Sequence, residues 1–190
     1  MPEDLTLNID HPRFGFDVTK CLSYLGDGWY QVDTPLTFTD PAARHQGRYF
    51  QVSVPLGLIT DLASIPQPFH SFIPPWWPAR AAVVHDWLYK LLKIDADRYG
   101  VTKHWKARRY MADRIFFDAL PFSTYRHGTR KFPATYRQIC YRVVRLFGQR
   151  SCLKSSPMNM MRDVDEGSVP NIRDVLPLDS NGNPYWTMTN

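Results

Sequence analysis

The chain has 190 residues, 44% of them hydrophobic and 22% charged, with a formal net charge of +5. These values suit one domain with a real core, and they exclude two ordinary domains, a collagen-like chain and global disorder. No apolar run nears the roughly 18 residues of a membrane span, and the acidic Met1-Pro2-Glu3-Asp4 start leads into no apolar stretch of the kind a secretory signal needs.

A cytoplasm is therefore the expected place of synthesis. Cys21, Cys140 and Cys152 are odd in number and lack C-x-x-C spacing. Buried, reduced thiols are expected rather than a zinc site or a disulfide framework. Charge is uneven. Lys103 to Arg150 holds 12 Lys and Arg against Asp113 and Asp118, a net +10, whereas 151–190 carries −2. Such a basic region suits the phosphates of nucleic acid or lipid headgroups, or simply solvated helix faces.

The first 60 residues predict strands. Leu5–Ile9 alternates, Trp29–Val32 and Leu36–Thr39 are β-rich, and Tyr49–Val54 alternates again with Phe50, Val52 and Val54 on one face. Gly26-Asp27-Gly28, Asp40-Pro41 and Gly57 predict turns. Residues 61–78 are expected to be irregular, because Pro66, Pro68, Pro74, Pro75 and Pro78 forbid a helix or a central strand there. Three helices follow: from near Pro78 to about Lys93, from about Lys103 to Leu120, and from about Pro133 to Phe147, with Gly148 as C-terminal cap. Residues 151–190 are polar and proline-punctuated, with no helical period. The expected fold is α+β, an N-terminal antiparallel β meander followed by a three-helix segment in a single domain over 1–150. Residues 151–190 would form an irregular, extended or flexible C-terminal arm.

Chemistry concentrates between Thr60 and Leu120. His85 and Tyr89 lie four residues apart and share a helix face bordering the apolar stripe, while Asp86 is turned about 100° away. Asp113 sits mid-helix beside Met111, Ala112 and Ile115, where a carboxylate is costly unless paired. Two helices joined by a short connection pack antiparallel, so His85 is its cheapest partner and Tyr89 a second donor. Two readings follow. In one, Asp113 orients His85 as a general base toward water, and Asp86 with Asp61 offers oxygen ligands suited to Ca2+ or Mg2+. In the other, His85, Asp113 and Tyr89 form a buried network that only fixes helix packing. Ser64 lacks a nucleophile elbow, so its hydroxyl is expected to serve a loop.

Val54 to Pro66 reads V-P-L-G-L-I-T-D-L-A-S-I-P, His85 to Tyr89 reads H-D-W-L-Y, and Ala112 to Phe116 reads A-D-R-I-F. These blocks resemble an uncharacterised family of bacteriophage and prophage proteins. The resemblance implies a phage origin but no particular activity; on that origin, synthesis in a host cytoplasm and an association with the virion are expected. His85, Asp86, Tyr89 and Asp113 also resemble the His-Asp helix pair of secreted and parvovirus-type phospholipases A2. That resemblance implies His85 as base, Asp113 as its orienter and Asp86 as a calcium ligand. The sequence departs from those enzymes upstream, where Pro74, Pro75 and Trp76 replace the glycine-rich loop that completes their calcium site and oxyanion hole.

One expectation is thus a metal-assisted hydrolase acting on a host envelope component, lipid or cell wall. The basic helices and Trp76-Trp77 would face an anionic envelope surface. The other is a non-enzymatic structural or assembly protein whose proline-rich loops and 151–190 arm bind other phage virion proteins. Nucleic-acid binding ranks third, because no motif supports it. The enzyme requires His85 and Asp113 within hydrogen-bond reach at the floor of an open pocket. The structural protein requires a sealed His85.

Overall fold

Alternation builds the β half. A computed structural model describes residues 15–17, 21–45, 48–62, 78–123, 133–153 and 169–188. The strands are β1 (Gly15–Phe16), β2 (Leu22–Gly26), β3 (Trp29–Val32), β4 (Leu36–His45), β5 (Arg48–Val54) and β6 (Ile59–Thr60). Every pairing is antiparallel. The strands divide into two sheets, β1-β4-β5 and β2-β3-β6. The break between them falls at Asp33-Thr34-Pro35, where proline has no N–H to offer a ladder. Leu36, Phe38, Phe50, Val52 and Val54 are buried, as period-two alternation on a half-buried sheet requires. The predicted Leu5–Ile9 strand lies outside the described residues, as do Ser64 and Trp76-Trp77.

Asp40-Pro41 is not a turn. Strand β4 continues through it, with a bulge between Asp40 and Arg44, and pairing resumes at Arg44↔Tyr49. The Asp40 carboxylate accepts the Ala42 N–H at 2.8 Å, and Pro41 has no N–H, so the ladder is interrupted without reversing. Gly26-Asp27-Gly28 does turn between β2 and β3.

Three long helices follow: α1 (Ala79–Tyr99), α2 (Lys103–Ala119) and α3 (Ala134–Leu153). Helix α1 is the centre of the core. Its expected stripe of Ala81, Val84, Leu88 and Leu91 is buried, and so are Ala82, Val83, Trp87 and Leu92; it touches β5, α2 and α3. It runs past Lys93 because Asp95 is buried and ion-paired, and it ends at Gly100, whose φ of 78° suits a residue without a Cβ. The turn after α2 closes back on the start of α1. Ser123 Oγ accepts the Ala81 N–H at 3.0 Å, and Arg80 donates to the Phe122 carbonyl at 2.6 Å.

Helix α3 passes through Gly148 instead of ending there. A Cβ at that position would overlap the Tyr89 hydroxyl and stand 3.1 Å from its Cζ, so the glycine serves close helix approach, not capping. The three cysteines are buried and unbridged. Burial pushes the Cys140 and Cys152 thiols up to about 12, leaving them inert as nucleophiles.

Residues 169–188 lie against the domain. They contain α4 (Ile172–Val175) and β7 (Thr187–Met188), and β7 pairs with β4 at Ala43 and Arg44. Ile172 and Leu176 are buried. Arg108 donates to the Leu176 carbonyl at 3.0 Å, Arg173 meets Asp95 at 2.8 Å, and Trp186 packs edge-on against Phe50 at 5.3 Å between ring centroids.

Candidate functional site

The α1–α2 pair places His85 and Tyr89 opposite Asp113. His85 Nε2 lies 3.0 Å from Asp113 Oδ1, and the Tyr89 hydroxyl donates to the same oxygen at 2.5 Å. The second oxygen is occupied from α3 and α2: Arg145 donates to Oδ2 at 2.6 Å and Arg109 stands 3.5 Å away. Burial pushes the Asp113 carboxyl up, but hydrogen bonds and charge from His85, Tyr89 and Arg145 outweigh it and hold the group below the ordinary aspartate range. Asp113 is therefore ionised and can only accept, so the facing His85 Nε2 carries a proton. Burial, then the Asp113 charge, pushes the Tyr89 hydroxyl well above the ordinary tyrosine range.

The ring of His85 is closed in. It lies 3.9 Å from the Tyr89 ring and 4.9 Å from the Phe116 ring, centroid to centroid. The residue is 1% exposed and Asp113 is 0% exposed. Arg109 fastens the cluster to α3 through the Arg145 carbonyl at 2.7 Å and Gln149 at 3.3 Å.

Of the five residues singled out in the sequence, the structure brings His85, Tyr89 and Asp113 together. Asp86 lies on another side of α1 and accepts from Thr60 Oγ1, which in turn accepts the Leu62 N–H at 3.0 Å. Asp61 is exposed at the end of β6. Among the described residues no group of three or more His, Cys, Asp or Glu side chains could hold a metal ion.

Sequence reasoning missed the arginines. Arg109 and Arg145 complete the Asp113 cluster, and a second cluster repeats the pattern one turn on. Asp118 accepts from Arg114 at 3.0 Å and from Arg137 of α3 at 2.8 Å. The bulge residue Asp40 adds a buried carboxyl whose Oδ2 makes no hydrogen bond among the described residues. Burial, then the neighbouring Asp118 charge, raises Asp40 to about 7. The available signal was spacing, since Arg109–Asp113 and Arg114–Asp118 are both i,i+4 pairs.

The architecture defines an α+β protein whose helices are clasped by buried carboxylate–arginine clusters. The chain belongs to the family described as "Protein of unknown function (DUF1353)", whose model matches residues 31–135. That span contains β4, β5, α1, α2, His85 and Asp113. No curated protein and no solved structure matches the chain. No helix among the described residues is long and apolar enough to cross a membrane.

Proposed function

We propose that this is a bacteriophage-encoded structural or assembly protein, in which the His85–Asp113 cluster locks three helices together and does no chemistry. The observation that carries this reading is the enclosure of His85. A general base must reach the proton it abstracts directly or through one water, and His85, 1% exposed, meets almost no solvent in this structure. Both oxygens of Asp113 are also spent on protein donors. A buried network so fully satisfied rigidifies and specifies a core. The phage assignment is supported by the sequence blocks at Val54–Pro66 and His85–Tyr89. Attachment to other virion proteins extends the same reading.

The test is complementation of a phage lacking the gene by His85→Gln, Asp113→Asn and Arg145→Met variants, each with its melting temperature measured. Particle yield is expected to follow stability across the series. A variant that melts like the wild type yet supports no infection would overturn the reading.

The 3.0 Å approach of His85 to Asp113 favours a second reading, the envelope hydrolase. There the carboxylate orients the imidazole, and Ca2+ or Mg2+ on Asp86 and Asp61 would be recruited on substrate binding. It needs the ring opened to water. Loss of lipid or cell-wall hydrolysis in a stably folded His85→Gln variant is its signature.

A further inference from the structure

Helices α2 and α3 contain two carboxylates, Asp113 and Asp118, and both are buried and paired with arginine. Every outward-facing charge on these helices is consequently positive. Lys103 and Lys106 on α2 and Arg142 and Arg150 on α3 are exposed and form no ion pair among the described residues. Large apolar side chains stand among them. Leu146 is 75% exposed and Phe147 49%. Ile139, Leu146 and Arg150 follow at spacings of seven and four, so they share one stripe of α3, with Arg142 beside it. The two helices' outward faces meet where Arg145 lies over the exposed Tyr110 ring at 5.1 Å.

We infer that this α2–α3 face docks on an anionic phospholipid surface. Cations attract the headgroups, and Leu146 with Phe147 enters the acyl boundary, the pattern of an interfacial amphipathic helix. A phosphodiester backbone would neutralise the same cations but leave the two apolar side chains without a partner. The lipid surface is therefore favoured over nucleic acid. The inference does not depend on whether His85 acts on anything.

The experiment is co-flotation of the full chain with phosphatidylglycerol–phosphatidylcholine vesicles and with phosphatidylcholine vesicles alone. Binding is expected only to the anionic vesicles and should weaken with salt. Removing Arg142 and Arg150 together as glutamines should lower partitioning about twenty-five-fold, near fivefold for each cation. Leu146→Ser with Phe147→Ser should weaken binding while keeping its salt dependence. All these side chains are exposed, so melting temperatures should not move. Arg48→Gln, on β5, serves as control and should bind like the wild type. Equal binding to neutral vesicles, or no loss in either double variant, overturns the inference. So does retention on duplex DNA or an acidic protein without vesicle binding, which assigns the face to that class instead.

Discussion

The hydroxyl of Tyr89 rests against the bare α-carbon of Gly148, so α1 and α3 approach each other where α3 carries no side chain. Gly148→Ala adds a methyl group with no room to enter, because Tyr89 is also held by Asp113. Overpacking of this kind costs about 1–3 kcal/mol. The expected result is a clear fall in melting temperature. Tyr89→Phe removes the overlapping hydroxyl, though not the ring edge, at the cost of its bond to Asp113, so Gly148→Ala should cost less in the Tyr89→Phe protein than in the wild type. A Gly148→Ala protein as stable as the wild type would show that the helices do not meet this way.

Asp113 balances two arginines. Asp113→Leu leaves Arg145 and Arg109 facing an apolar side chain, and breaking one side of a buried pair costs about 3–5 kcal/mol. Part of Arg145 is exposed, which places the expected loss at the lower end. The double variant Asp113→Leu, Arg145→Leu should lose less than Asp113→Leu alone. Urea denaturation of the four-member cycle measures the difference.

Asp40 gives stability a dependence on pH. Its carboxyl is raised to about 7 in the folded protein, against about 3.9 for an unfolded aspartate. A raised acid binds its proton more tightly when folded. Its penalty is therefore absent below about pH 4, grows as pH rises towards 7, and is complete above that. Asp40→Asn keeps an oxygen for the Ala42 N–H and removes the charge. The variant should gain on the order of a few kcal/mol over the wild type at pH 8 and almost nothing at pH 4. Asp113 acts in the opposite direction at the acid end. Its depressed carboxyl contributes stability above the unfolded aspartate range, lost as pH falls through its lower folded value. Unfolding free energies from pH 3 to 8 separate the two.

Arg173 secures the returning segment by its contact with the buried Asp95, while its guanidinium lies 3.8 Å from the Tyr99 ring centre. Arg173→Ala leaves Asp95 buried without that partner. Since the Arg173 side chain is 41% exposed, the expected cost is modest, about 1 kcal/mol. Faster amide exchange over Ile172–Leu176, with α1 and α2 unchanged, is the expected readout. Unchanged exchange there would mean the buried Ile172 and Leu176 suffice.

The sequence exposed the skeleton of this fold because periodicity is a local signal. Phe50, Val52 and Val54 announce one face of β5, and the spacing of His85, Tyr89 and Asp113 anticipates a contact between α1 and α2. Charge was harder to read. A Lys- and Arg-rich helix looks solvated on both sides, yet Arg108, Arg109, Arg137 and Arg145 reach partners from other elements. Those partners depend on helix-to-helix placement, which no window of one chain segment contains. Gly148 misled for the same reason, since a glycine near the end of an apolar stripe reads as a stop until the side chain facing it is known. The enclosure of His85 is likewise a tertiary property, invisible in the H-D-W-L-Y string.

The pairing of β7 with β4 also orders events during synthesis. Strand β4 leaves the ribosome early and waits while all three long helices are made before its partner at Ala43 and Arg44 exists. In that interval one stretch of strand edge, and the ring of Phe50 that Trp186 will meet, are open to any passing chain. A nascent protein halted before Thr187 would carry a ready template for mispairing, so the last described strand works as a seal as much as a scaffold.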